Sequence, residues 1–165
     1  KREFSNETLL RYANEIADHL NHNYNAYLYW YGMRKSSNLG QQNSESLIDY
    51  NDESKKMMLN DEYYSLGHFS KFITPGDKRI AAYSENKDIT VTSTINPETG
   101  KIVIVAVNNG ESDVSVTVNG LSKSRLTSCV STESEKLVSG AGADISNGSA
   151  VITLKAKSIT TLVEE

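Results

Sequence analysis

Apolar residues recur at spacings of three and four from Leu9 through Leu10, Ala13, Ile16 and Ala17 to Leu20, which predicts an amphipathic helix with one buried side. Ser5 or Asn6 supplies a capping oxygen at its start, and the stripe ends in the polar Asn21-His22-Asn23. The pattern then changes. Ala26-Tyr27-Leu28-Tyr29-Trp30-Tyr31 is short, aromatic and apolar at every position, as expected of a strand buried on both faces. A lone strand of that kind leaves its backbone groups without partners, so the segment calls for neighbouring strands outside this sequence. A polar loop runs from Gly32 to about Asn60, with room for a short helix from Ser54 to Leu59. Loops of that length are often functional. A second helix follows, with Tyr63, Leu66, Phe69, Ser70 and Ile73 on one face and Asp61 and Glu62 at its positive N-terminal end. Thr74-Pro75-Gly76 stops it, because proline breaks the hydrogen-bond ladder and Gly76 accepts a left-handed turn.

From Lys78 the period falls to two. Ile89, Val91 and Ser93 alternate with Thr90, Thr92 and Thr94, and Asn96-Pro97-Glu98-Thr99-Gly100 reads as a hairpin loop. The β-branched run from Ile102 to Val107 predicts a central strand, and Val114, Val116 and Val118 alternate with Ser115 and Thr117. Further strands are expected at Leu126 to Ser131, Lys136 to Ser139, Ala150 to Lys155 and Ile159 to Val163, giving an antiparallel β-sandwich of about seven or eight strands. Gly140-Ala141-Gly142-Ala143 reads as a loop between strands, since no strand-to-helix context makes it a phosphate cradle.

Composition removes several function classes. The 165 residues carry a net charge of −4 with lysines scattered among acids, so no basic stripe exists for nucleic acid. No apolar run approaches the roughly 20 residues of a membrane span. Cys129 is the single cysteine, which excludes an internal disulfide and a cysteine-based zinc site. His19 and His22 have metal-compatible spacing but no third ligand, and Asp49, Asp52, Glu53, Asp61 and Glu62 lack the spacing of a calcium loop. No metal or other cofactor is expected. His68 falls off the apolar stripe of the second helix and reads as a hydrogen-bonded surface or interface residue.

Two stretches carry a family likeness: Ala26 to Tyr31, and Tyr63 to Ile80 with Thr74-Pro75-Gly76 and Lys78-Arg79-Ile80. They resemble the join in glycoside hydrolase family 30, where the last helix of a (β/α)8 barrel runs into a β-sandwich. The resemblance implies an α+β fragment in two parts. Residues 1–77 would be barrel helix 7, strand 8, a loop and helix 8; residues 78–165 would be the antiparallel β-sandwich side domain.

It also implies a retaining glycosidase whose two catalytic glutamates lie upstream of Lys1, on the barrel portion that would complete the protein. Glu3 and Glu7 are then loop and first-turn charges, and no catalytic residue is expected in the chain. The implied substrate is a xylan-type polysaccharide, with another β-linked glycan or glucosylceramide behind it, and the implied location is outside the cell. Barrel active sites are built at the C-terminal ends of the strands, which draws attention to Trp30. Its position resembles that of the family's aromatic beneath the cleaved sugar, although an indole of that kind serves equally well as packing between barrel and helices. Tyr29 and Tyr31 rank behind it and are expected to face away from Trp30, toward the helices. Arg34 resembles the arginine with which glucuronoxylan-specific members grip a glucuronate, a match of planar donor to carboxylate, though Ser36 to Tyr50 departs from that subfamily. The competing expectation is a non-catalytic sandwich that binds carbohydrate or attaches other modules.

Overall fold

A computed structural model describes residues 6–39 and 45–165; Glu3 and the candidate cap Ser5 lie outside the described residues. Helix α1 spans Asn6–Asn21 and α2 spans Asp61–Ser70. The strands are β1 (Met33–Lys35), β2 (Ile48–Asn51), β3 (Lys56–Leu59), β4 (Lys78–Ile80), β5 (Ile89–Ile95), β6 (Ile102–Asn108), β7 (Val114–Asn119), β8 (Arg125–Ser131), β9 (Val138–Ser139), β10 (Ala143–Asp144), β11 (Ser149–Leu154) and β12 (Ser158–Glu164). The largest sheet runs β10-β8-β12-β6-β5-β4 with β9 added beside β8, and β7 and β11 form a two-stranded leaf facing it.

Strand alternation sorts the core into two. On one face of the large sheet Val105, Val107 and Ile159 pack under Leu9, Leu10, Ala13, Ile16 and Ala17 of α1 and Phe69 of α2. On the other, Ala106, Leu126 and Leu162 meet Ala150, Ile152 and Leu154 of β11. Each fully buried Val, Leu or Ile contributes roughly 1.5–3 kcal/mol of transfer free energy, so both helices are held mainly by what they cover. Every position of β12 is buried, because β6 and β8 flank it and a layer covers each face. Beside the free edge of β7 a cleft of about 780 Å³ opens between the leaves, and Val114, Val116 and Val118 are only half-buried there.

The strands expected from period two are present, and the run from Ile102 is central as anticipated. Gly76 takes the left-handed conformation (φ 99°) that its place after Pro75 requires. The stretch around Gly140, expected as loop, leads into the short strand β10 paired with β8.

Three expectations need correction. The long loop holds no helix at Ser54 to Leu59; β1, β2 and β3 form a small sheet there, with β1 parallel and β3 antiparallel to β2. Asn51 Oδ1 accepts hydrogen bonds from Ser54 N (2.7 Å) and Ser54 Oγ (2.8 Å), closing a turn that puts Met57 and Met58 opposite β2, where pairing overrides their helical preference. Helix α2 buries Asp61, Glu62, Ser65, His68 and Phe69, while Tyr63 stays 36 % exposed, so its inward face is polar and rotated from the predicted stripe. Hydrogen bonds make that tolerable: Ser65 Oγ donates to Leu9 O at 2.7 Å, and Lys136 Nζ reaches Asp61 Oδ1 at 3.1 Å. Last, Ala26 to Tyr31 is not buried on both faces; as expected of a lone strand, positions 25–30 make no backbone–backbone hydrogen bond among the described residues.

Candidate functional site

The stretch from Tyr24 to Tyr31 lies along α1 and is anchored by alternate side chains. Tyr27 Oη donates to Glu15 Oε1 at 3.0 Å, and His19 meets both Tyr24 and Tyr27 edge-on. Tyr29 Oη donates to Tyr12 Oη at 3.3 Å, with the two rings edge-to-face at 5.4 Å. Burial first, and then these hydrogen bonds, push both hydroxyls above the usual tyrosine range. Tyr27 and Tyr29 are therefore anchors on the helix that stay protonated near neutrality.

The intervening residues point away from α1: Leu28 is 93 % exposed and Trp30 76 %. Alternation over this stretch is that of an extended strand with one side docked. It breaks at Tyr31, whose N–H donates to Glu45 O (2.9 Å) and whose carbonyl accepts from Leu47 N (2.9 Å). Across the Trp30–Tyr31 peptide bond, which is cis, the two rings lie side by side, with centroids 4.8 Å apart and planes at 44°. Tyr29 faces the helix as expected; Tyr31 does not, because the chain there leaves the extended segment to pair with residues 45–48.

Arg34 and Lys35 sit on opposite faces of the small sheet. The register Arg34↔Asp49 places Arg34 on the side where Asp49 and Asn51 are buried, and its Nη1 lies 3.5 Å from Glu45 Oε2. Lys35 pairs with Tyr50, which pairs with Met57, forming a row on the solvent side. There Lys35 Nζ donates to Asp52 Oδ2 at 2.8 Å, Tyr50 Oη donates to Asp52 Oδ1, and Lys55 Nζ approaches Asp52 at 3.5 Å. The Lys35 hydrogen bond, then that of Tyr50, hold the Asp52 carboxyl below its ordinary range, and the same bond from Tyr50 raises its hydroxyl. Tyr50, Lys35 and Asp52 did not emerge as candidates from the sequence; the only signal was the Ile48/Tyr50 alternation, too short to separate from loop.

Of the four candidates, Trp30 and Tyr31 come together, Tyr29 turns to α1, and Arg34 turns to Glu45. An exposed indole beside a phenol offers a flat apolar surface with a polar edge, chemistry suited to the C–H face of a sugar ring. Glu7 is exposed in the first turn of α1. Among the described residues no three His, Cys, Asp or Glu side chains are grouped to hold a metal ion, and no helix is long and apolar enough to cross a membrane.

Comparison with known proteins extends this geometry. Glucuronoxylanase XynC of Bacillus subtilis is 28 % identical over 156 residues, covering 90 % of this chain and 33 % of the relative. An endoxylanase of glycoside hydrolase family 30 from Clostridium papyrosolvens superposes with a TM-score of 0.79 at 30 % identity, covering all of this chain and 40 % of that structure. A subfamily 8 xylanase of the same family from Clostridium acetobutylicum gives a TM-score of 0.81 at 28 % identity, again over the whole chain and 40 % of the other. The chain thus spans about a third of the length of the curated glucuronoxylanase. The model of the glycosyl hydrolase family 30 beta sandwich domain matches residues 76–162, the strands from β4 to β11 and most of β12 included, and with that match over half its length this chain belongs to glycoside hydrolase family 30.

Proposed function

We propose that these residues are the C-terminal part of a retaining endo-β-glycosidase that cleaves xylan-type polysaccharide outside the cell, with Trp30 as a sugar-stacking residue. The observation that carries the reading is the pair Leu28 and Trp30, exposed on the side of an unpaired extended segment opposite α1. An apolar segment with one docked side and free backbone edges fits strand 8 of a barrel whose other strands come from the rest of the protein. Residues 1–77 then complete the barrel and residues 78–165 form its side domain. The two carboxylates of a retaining mechanism, acid/base and nucleophile, belong on the barrel strands outside this chain. The names of the relatives, a glucuronoxylanase and two xylanases, support xylan as substrate. A stand-alone carbohydrate-binding sandwich has less behind it, because Tyr83 is the single aromatic residue from Lys78 onward, and one ring makes a small stacking platform.

The complete protein should release xylooligosaccharides from xylan, and Trp30→Ala should lower kcat/KM about ten- to thirtyfold. Absence of hydrolysis by the complete wild-type protein defeats the reading. Arg34 tests the finer specificity. If its guanidinium exchanges Glu45 for a glucuronate, Arg34→Ala should reduce cleavage of decorated xylan about tenfold and leave bare xylan unaffected. Equal rates on both substrates before and after the change would remove Arg34 from recognition.

A further inference from the structure

The solvent face of the small sheet is built like a second sugar platform. Strand register places Lys35, Tyr50 and Met57 in one row and Met33, Ile48 and Leu59 in the row beside it. Met57 is 67 % exposed, Met33 55 % and Leu59 37 %, so apolar surface lies open next to the Tyr50 ring. The ring is fixed at its far end, where Tyr50 Oη donates to Asp52, and Asp52 is held in turn by Lys35 Nζ at 2.8 Å. A ring already immobilised loses little further freedom when a ligand covers it.

We propose that Tyr50, braced by Asp52 and flanked by Lys35 and Met57, binds a further residue of the same neutral glycan chain, remote from Trp30. This rests on the reading of the protein as a xylan-cleaving enzyme. The occupant follows from chemistry and continuity. A pyranose needs an apolar face, here phenol and thioether, and a rim that both donates to and accepts from hydroxyls, here an ammonium and a carboxylate. Two lysines flank one carboxylate, so the patch lacks the concentrated positive charge that a polyanion requires. Lys35 follows Trp30 by five residues, which places its backbone within about 18 Å, a span bridged by a short oligosaccharide.

The test uses the complete protein and linear xylooligosaccharides from xylotriose to xylohexaose. Tyr50→Ala is expected to raise KM for the longest substrates about tenfold, with kcat little changed and xylotriose unaffected. Met57→Ala, at an exposed position of the small sheet, should raise the same KM about threefold. An unchanged length dependence in both variants overturns the assignment. So does a lowered unfolding midpoint in both with equal loss on all lengths, because the face is then packed against the rest of the protein. Failure of the wild type to cleave any xylan removes the underlying reading and the platform together, whereas cleavage with unaltered length dependence removes Tyr50 alone.

Discussion

Lowering the pH from 7.5 toward 4 is expected to destabilise the protein by about 1.4 kcal/mol per unit below pH 6.5, and His68→Gln should abolish most of that slope. His68 is fully buried between α2 and the large sheet. Thr161 Oγ1 donates to His68 O at 2.9 Å, so toward the ring, 2.8 Å away, it acts as acceptor for Nδ1–H. Nε2 lies 2.8 Å from Ser131 Oγ, which already accepts from Leu137 N at 2.8 Å and is left to donate its hydroxyl proton to the ring. Each ring nitrogen therefore has a partner suited to a neutral imidazole, and a second ring proton does not fit the arrangement.

Burial first, with the Lys71 charge nearby, pushes the His68 pKa down to about 3 from an ordinary 6.5. The unfolded chain takes up a proton near pH 6.5 and the folded one does not, so stability is complete above 6.5 and is lost as pH falls toward 3. The full difference is roughly 5 kcal/mol, a large part of a typical domain's stability. Urea unfolding of wild type and His68→Gln at several pH values measures it. The variant should be weaker by about 2 kcal/mol at pH 7.5 and converge with the wild type in acid. Parallel pH profiles would show that His68 is not the group responsible.

Glu164→Ala is expected to cost about 3–4 kcal/mol, and Glu164→Gln about 2. This carboxylate is 1 % exposed on β12 and accepts three backbone donors: Ser122 N at 2.6 Å and Lys123 N at 3.2 Å on Oε1, and Ile102 N at 3.2 Å on Oε2. It fastens the turn after β7 and the first residue of β6 to the central strand. Alanine strands all three N–H groups; glutamine keeps one acceptor oxygen but turns an NH₂ toward the remaining donor. Hydrogen exchange at Ile102, Ser122 and Lys123 should accelerate in both variants while the β11 amides change only with global stability. Unchanged exchange at those three amides would refute the assigned role.

How much was legible in the sequence followed from how long each pattern runs. Leu9 to Leu20 and the valines and isoleucines of β5, β6, β7 and β12 repeat over several periods, and those elements lie where expected. The helix α2 follows from the spacing of Tyr63, Leu66, Phe69, Ser70 and Ile73 and its stop at Pro75-Gly76, but its buried side does not, because Ser65, His68 and Asp61 are made tolerable inside by partners distant in sequence. The small sheet escaped notice since strands of three or four residues carry too little alternation to stand out, and Met57 and Met58 favour helix. In the candidate site, Trp30 stands out through the family resemblance and its place at the end of the aromatic segment. The inward turn of Arg34 and the bracing of Tyr50 by Asp52 depend on the β1–β2 register, which no local pattern sets.

The burial of Val105, Val107 and Ile159 beneath α1 and α2 has an evolutionary corollary. A recombination event that cut at the Thr74–Asp77 turn and carried off only the downstream strands would lay bare a contiguous greasy sheet face, inviting aggregation. A sandwich transplanted between enzymes is therefore expected to stay soluble only with both helices as passengers.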